Sequence, residues 1–258
     1  MTKKELKKEL RTEKISAKKE YKKQIQTATD TYKKRLDEYY SQPGKKRPIN
    51  PPKRPVLEEV GNSISHGLGS IFAIVALVLM LLQSESVTEI ASAVIYFFGM
   101  FVMFTCSCLY HAFSHGSVVK RLFRRFDYSS IYLLIGATFA PVLLCVFQNE
   151  FGTIFFAVQW LVIALGISLV GVFGPTQLRF VHIPLYVILG WSALMLFPGM
   201  VGVSLSLALW ILAGGVIYTV GIIPFLIKSK VAHFIWHIFV FAAAIVQWIG
   251  IYTYVYKA

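Results

Sequence analysis

From Asn62 onward the chain is a succession of long apolar runs separated by short polar breaks. Seven runs, at about 62–83, 88–114, 127–147, 152–174, 180–197, 201–227 and 232–256, are each long enough to cross ~30 Å of hydrocarbon as a helix. The expected fold is therefore all-α, a polytopic membrane protein built as a seven-transmembrane helix bundle. Pro141 in the third run and Pro184 in the fifth are compatible with this, because neighbouring helices can satisfy the backbone groups they free. Tyr252, Tyr254 and Tyr256, at the end of the last run, suit anchoring at the membrane interface.

The first fifty-odd residues follow a different pattern. Residues 3–40 are rich in Lys, Glu, Leu and Tyr and hold no Pro or Gly, which predicts a helix. Its apolar positions, among them Leu6, Leu10, Tyr21, Ile25, Tyr32, Leu36 and Tyr39, form only a patchy stripe. Ser41-Gln42-Pro43-Gly44 ends it, and Lys45 to Pro55, with four prolines and five basic residues, reads as an extended linker. Residues 1–56 are thus expected to be a basic cytoplasmic tail with a Pro-rich linker, and 57–258 the membrane domain.

Composition agrees. The 258 residues are 56% hydrophobic and 15% charged, with mean hydropathy +0.61. This excludes a disordered chain, a soluble coiled coil and most ordinary globular enzymes. The net charge of +13 is concentrated in the tail, with 18 Lys/Arg against 7 Asp/Glu up to Val56 and 8 against 6 beyond it. Such a tail fits anionic lipid headgroups, at about 1 kcal/mol per basic residue near the surface, or simply a solvated extension that sets topology. No aromatic or glycine pattern supports nucleic acid as a partner, and the identity of any protein partner is left open. Three cysteines, Cys106, Cys108 and Cys145, are too few for a disulfide framework. The start, Met1-Thr2-Lys3-Lys4, leads into more charge, so no secretory signal is expected.

Orientation follows from the connections. The first, third and fifth carry no Lys or Arg. The second holds Lys120, Arg121, Arg124 and Arg125, the fourth Arg179, and the sixth Lys228 and Lys230. With the basic tail, this alternation predicts the N-terminus inside and the C-terminus outside, in the cell (plasma) membrane.

That topology gathers the ionisable residues. Glu58, Glu59, His66, His111, His115, Asp127, His182, His233 and His237 all fall toward the inner ends of their spans, whereas the outer side holds only Glu85, Glu89 and Glu150 in loops. Ionisable groups at membrane depth are costly, and by default they suggest function. The sharpest local pattern is His233-Phe-Ile-Trp-His237. Two histidines four apart share one helical face about 6 Å along the axis, which suits two ligands on one metal. Ser107-Cys-Leu-Tyr-His111 aligns a hydroxyl and an imidazole in the same way. Three neutral imidazoles around Zn²⁺ leave a fourth position for water, whose pKa falls to about 7, and a nearby Asp can act on that water as a base.

Other arrangements compete. The polar groups can simply hydrogen-bond between helices. Cys108, His111 and His115 also share a face and form an alternative ligand set. Cys106 and Cys145 read as small packing residues, and His182, with no partner spacing, as an interfacial histidine. Glu59, Asn62 and His66, at i, i+3 and i+7, read equally as a cap and hydrogen-bond layer or as members of the inner polar layer.

At these residues the chain resembles the hemolysin III family, the bacterial branch of the progestin and adiponectin receptor (PAQR) family within the CREST superfamily. The resemblance runs from Glu58 to the C-terminus. It rests on Glu59-Val-Gly-Asn62-Ser-Ile-Ser65-His66-Gly67, on Ser107-x-x-x-His111, on Asp127-Tyr128 and on His233-x-x-x-His237. Ser65 stands where the family commonly has Thr. The resemblance implies seven helices around an intramembrane zinc, with His111, His233 and His237 as ligands and with Ser107 and Asp127 around the metal-bound water. It implies as activity a zinc-dependent hydrolase of a lipid amide or ester bond, with membrane lipid as substrate or ligand. In that reaction Asp127 would take a proton from water and Ser107 would hydrogen-bond the oxyanion. A receptor or regulator with structural zinc is the second expectation. A membrane-lytic protein is the last, since no separate amphipathic pore-forming segment lies outside the tail.

Overall fold

A computed structural model describes residues 3–44, 50–227, 229 and 231–257. Lys45 to Ile49 of the linker, and Lys228 and Lys230 of the sixth connection, lie outside the described residues. The chain divides into two units, Met1–Ile49 and Asn50–Ala258.

In the first unit, α1 (Lys3–Tyr40) occupies the stretch where helix is predicted. Its side chains are exposed along almost its whole length. Local pairs one turn apart, such as Gln24 with Glu20 and Gln26 with Asp30, decorate its surface.

The second unit is a helix bundle. It comprises α2 (Val56–Gln83), α3 (Val87–Ala112), α4 (Val118–Pro141), α5 (Glu150–Phe173), α6 (Arg179–Trp191), α7 (Phe197–Val203), α8 (Leu205–Leu226) and α9 (Ala232–Ile251). A π-helical turn, Val142–Val146, extends α4, and another, Tyr252–Tyr256, extends α9. No strand occurs among the described residues. Six helices are long and apolar enough to cross a membrane, and a seventh span arises if the bent pair Arg179–Met195 and Phe197–Val203 is counted as one. The protein is a polytopic all-α membrane protein.

Three details depart from the sequence reading. The helices α2 and α4 begin earlier than the apolar runs, at Val56 and Val118. Glu58 and Glu59 in the first turn of α2 suit its positive dipole end, and Ser117 caps α4 by accepting from the Lys120 amide. Lys120, Arg121, Arg124 and Arg125, expected in a loop, are therefore helical. Pro198-Gly199-Met200, expected as a connection, lies in α7, bent 46° from the preceding segment. Proline is favourable in that first turn because its missing N–H has no helical partner there. Tyr256, expected as an interfacial anchor, is instead buried, its hydroxyl 2.6 Å from Ser92 Oγ.

The core is centred on Tyr96, Met100, Phe104, Leu207 and Ala244. α3 packs against both α2 and α4, α8 against α9, and α9 back onto α2. Small residues allow the closest approaches. A Cβ on Gly99 would stand 2.2 Å from Ala137 Cβ, and one on Gly69 would stand 2.4 Å from the Phe104 ring. Association between helices in lipid relies on such close backbone packing.

Candidate metal centre

Antiparallel packing brings the start of α2, the end of α3 and the starts of α4, α6 and α9 to one end of the bundle. His111 and both histidines of α9 meet there. Each offers a ring nitrogen, and the three nitrogens lie within 4.8 Å of one another. His233 Nε2 and His237 Nε2 are 3.3 Å apart. The edge of a tetrahedron with bonds of ~2.0–2.1 Å is about 3.3–3.4 Å, so these two already have the spacing of neighbouring zinc ligands. His111 is buried, and its Nε2 has no hydrogen-bond partner. Its other nitrogen, Nδ1, is 2.5 Å from Glu59 Oε2, with the Asn62 amide nitrogen beside it at 3.3 Å. A carboxylate on Nδ1 favours the tautomer with its lone pair on Nε2, the form a metal needs. The donor set fits a divalent metal held by imidazole.

Ser107 and Asp127 are brought to the same place. The Ser107 hydroxyl lies beside the Asp127 carboxylate. Both line a cavity of about 180 Å³ with His66, His233 and His237. From Asp127 this cavity runs beside α4 as far as Val142, and along α9 to Gln247. Fifteen helical residues correspond to about 22 Å, most of the ~30 Å hydrocarbon depth. Beyond the polar end its lining is mainly apolar, including Leu134, Met200, Ile211 and Tyr218.

The remaining candidates separate from the cluster. His115 is exposed, with Nε2 3.0 Å from the Pro51 carbonyl. Cys108 Sγ lies 3.4 Å from Ser63 Oγ. Neither joins the metal-competent group found among the described residues, so the Cys108, His111 and His115 set is not assembled. His182 is fully buried rather than interfacial, with Nδ1 2.9 Å from the Tyr132 hydroxyl. Glu58 pairs with Arg54 at 3.1 Å. Cys106 and Cys145 are half-buried free thiols.

Two residues belong to the centre more closely than their spacing indicates. His66 stacks on His237, ring centroids 3.8 Å apart, with both of its buried nitrogens unpartnered. Its place on one face with Glu59 and Asn62 was the available signal. Lys120 has no such signal. It reads as one more loop cation, yet it is only 1% exposed and its Nζ is 2.9 Å from Glu59 Oε1.

Comparison with known proteins agrees with this architecture. The sequence model for haemolysin-III-related proteins matches residues 55–248. The chain is 32% identical over 208 residues to Hemolysin-3 of Bacillus cereus, covering 78% of this chain and 93% of that protein. It is 29% identical over 211 residues to a Hemolysin-3 homolog of Bacillus subtilis (strain 168), covering 78% and 96%. It is also 29% identical over 212 residues to the monocyte to macrophage differentiation factor of Homo sapiens, covering 78% and 86%. With a bundle of this kind, and a match over most of its length, the chain belongs to the haemolysin-III-related family.

Proposed function

We propose that the protein is a zinc-dependent hydrolase of a lipid amide or ester bond, working inside the plasma membrane with its metal near the cytoplasmic face. The observation that carries this reading is the opening of the histidine cluster, with Ser107 and Asp127, onto one long apolar cavity. His111, His233 and His237 hold the metal. Bound there, zinc supplies a Lewis acid that polarises a carbonyl and acidifies water.

The chain's own groups do the rest. Asp127 accepts the proton that the attacking water loses. Ser107, beside Asp127 on the cavity wall, hydrogen-bonds the developing oxyanion. The apolar walls take the hydrocarbon of the substrate and exclude bulk water, which strengthens the electrostatics at the polar end.

The orientation belongs to the same proposal. The Lys/Arg alternation supports the N-terminus inside, with α1 and the linker basic toward anionic headgroups. A reporter fused after Ala258 should read as extracytoplasmic, and a cytoplasmic reading would overturn the orientation.

The test is lipidomics on purified full-length protein incubated with extracted membrane lipids, with and without a chelator. Release of a fatty acid that stops on chelation and returns with zinc supports the hydrolase. Stoichiometric zinc with no lipid consumed favours a receptor in which the metal is structural.

A further inference from the structure

We propose that Lys120 and Glu59 are positioning residues of the metal centre: Lys120 locks the Glu59 carboxylate, and Glu59 holds His111 with Nε2 aimed at the two histidines of α9. This rests on the metal-binding reading above and adds to it a device built from three helices.

Lysine is almost never fully buried unless paired, and Lys120 is only 1% exposed. Its ammonium is completely provided for. Nζ donates to Glu59 Oε1 at 2.9 Å and to the Phe113 carbonyl at 3.0 Å, and it sits 4.9 Å from the centroid of the Tyr110 ring. Those contacts draw on α4 for the lysine, α2 for the carboxylate and the end of α3 for the carbonyl and ring. None points to solvent or to lipid headgroups, which is where a cation serving only topology would reach.

The carboxylate is equally committed. Glu59 Oε1 faces Lys120, and Oε2 faces His111 Nδ1. With both oxygens engaged on the side of His111 away from Nε2, Glu59 cannot turn to become a ligand itself. The histidine is thereby fixed in tautomer and ring plane, and the number of protein ligands stays at three. The lysine also neutralises a carboxylate that would otherwise be partly buried beside a histidine with no counter-charge, an arrangement that costs free energy.

A structural staple is the competing account, since Lys120 also ties the segment after α3 through the Phe113 carbonyl. A staple would act whether or not Glu59 is charged, whereas a positioning residue acts through it. The two therefore differ in a double-variant cycle.

The experiment uses the full chain in detergent micelles, with zinc alone as probe, competed against a chromophoric chelator of known affinity. Helical content and unfolding of the metal-free protein are followed in parallel. Lys120→Met and Glu59→Gln should each weaken zinc binding by about 10–100-fold, the usual effect of losing such outer support. The double variant should bind no more weakly than the worse single variant, and Lys120→Arg, which keeps the charge, should recover most of the loss. Parental affinity in Lys120→Met, or losses that multiply in the double variant, would overturn the proposal. Should Lys120→Met not fold, Glu59→Gln decides the matter, and parental affinity there overturns it. A parent protein that binds no zinc would overturn the proposed function itself, a result separable from either of these.

Discussion

The two ends of the bundle treat their polar groups differently. At the end formed by the first turns of α5 and α3 and the last turn of α9, the caps and hydroxyls are matched to one another, with the Trp248 indole N–H left over. Ser86 and Glu89 form a reciprocal cap, Asn149 caps α5 through the Gly152 amide, and Ser92 joins Tyr256 at 2.6 Å. At the histidine end, outward-facing groups are paired by Lys120 and Glu59, while His111 Nε2, His237 Nδ1 and both nitrogens of His66 are left without partners. Buried polar atoms are rarely left unmade, since each costs about 1–3 kcal/mol. One end therefore closes the fold, and the other leaves buried nitrogens open beside three histidines that could hold a metal ion.

The contrast breaks most severely if a metal ligand is removed. His233→Ala or His237→Ala should abolish stoichiometric zinc, measured by elemental analysis of the purified protein, and with it chelator-sensitive lipid turnover. Full zinc content in either variant would remove that histidine from the centre.

Asp127→Asn comes next. Loaded with excess zinc and confirmed occupied, it should lose roughly 10²–10⁴ in turnover, the usual contribution of one positioned acid or base. Undiminished turnover at full occupancy would show that Asp127 only supports the helix packing.

Gly99→Ala tests the middle of the bundle, where the new methyl would meet Ala137 Cβ at 2.2 Å and the Leu133 carbonyl oxygen at 2.8 Å. Overpacking there should lower stability in detergent by about 1–3 kcal/mol, with zinc content unchanged when folded. A variant as stable as the parent would mean that α3 and α4 can separate freely.

The smallest effect belongs to the closed end. Tyr256→Phe removes one buried hydrogen bond, and Ser92 Oγ still donates to the Glu89 carbonyl, so the loss should be about 0.5–1.5 kcal/mol with no change in zinc or turnover. A fall in zinc affinity in that variant would mean the two ends are coupled, and the comparison would fail.

Apolar run length located six membrane helices and the bent pair that can count as a seventh, because each span must satisfy its backbone internally and so declares itself locally. Helix-favouring composition without Pro or Gly marked residues 3–40 as helical, and helical spacing marked His233 with His237 and Ser107 with His111. Where local signals ended, the reading failed in specific ways. Tyr256 looks like an anchor but is buried against Ser92, and the bend at α7 passes for a loop. Lys120 passed for a topology charge, because nothing within its own helix shows that Glu59 lies 61 residues away at 2.9 Å. Periodicity orders residues along one helix, and it says which face is apolar. Which polar groups on three different helices share a proton or a charge depends on how those helices pack, and packing alone joined Lys120, Glu59 and His111 and opened the cavity beside them.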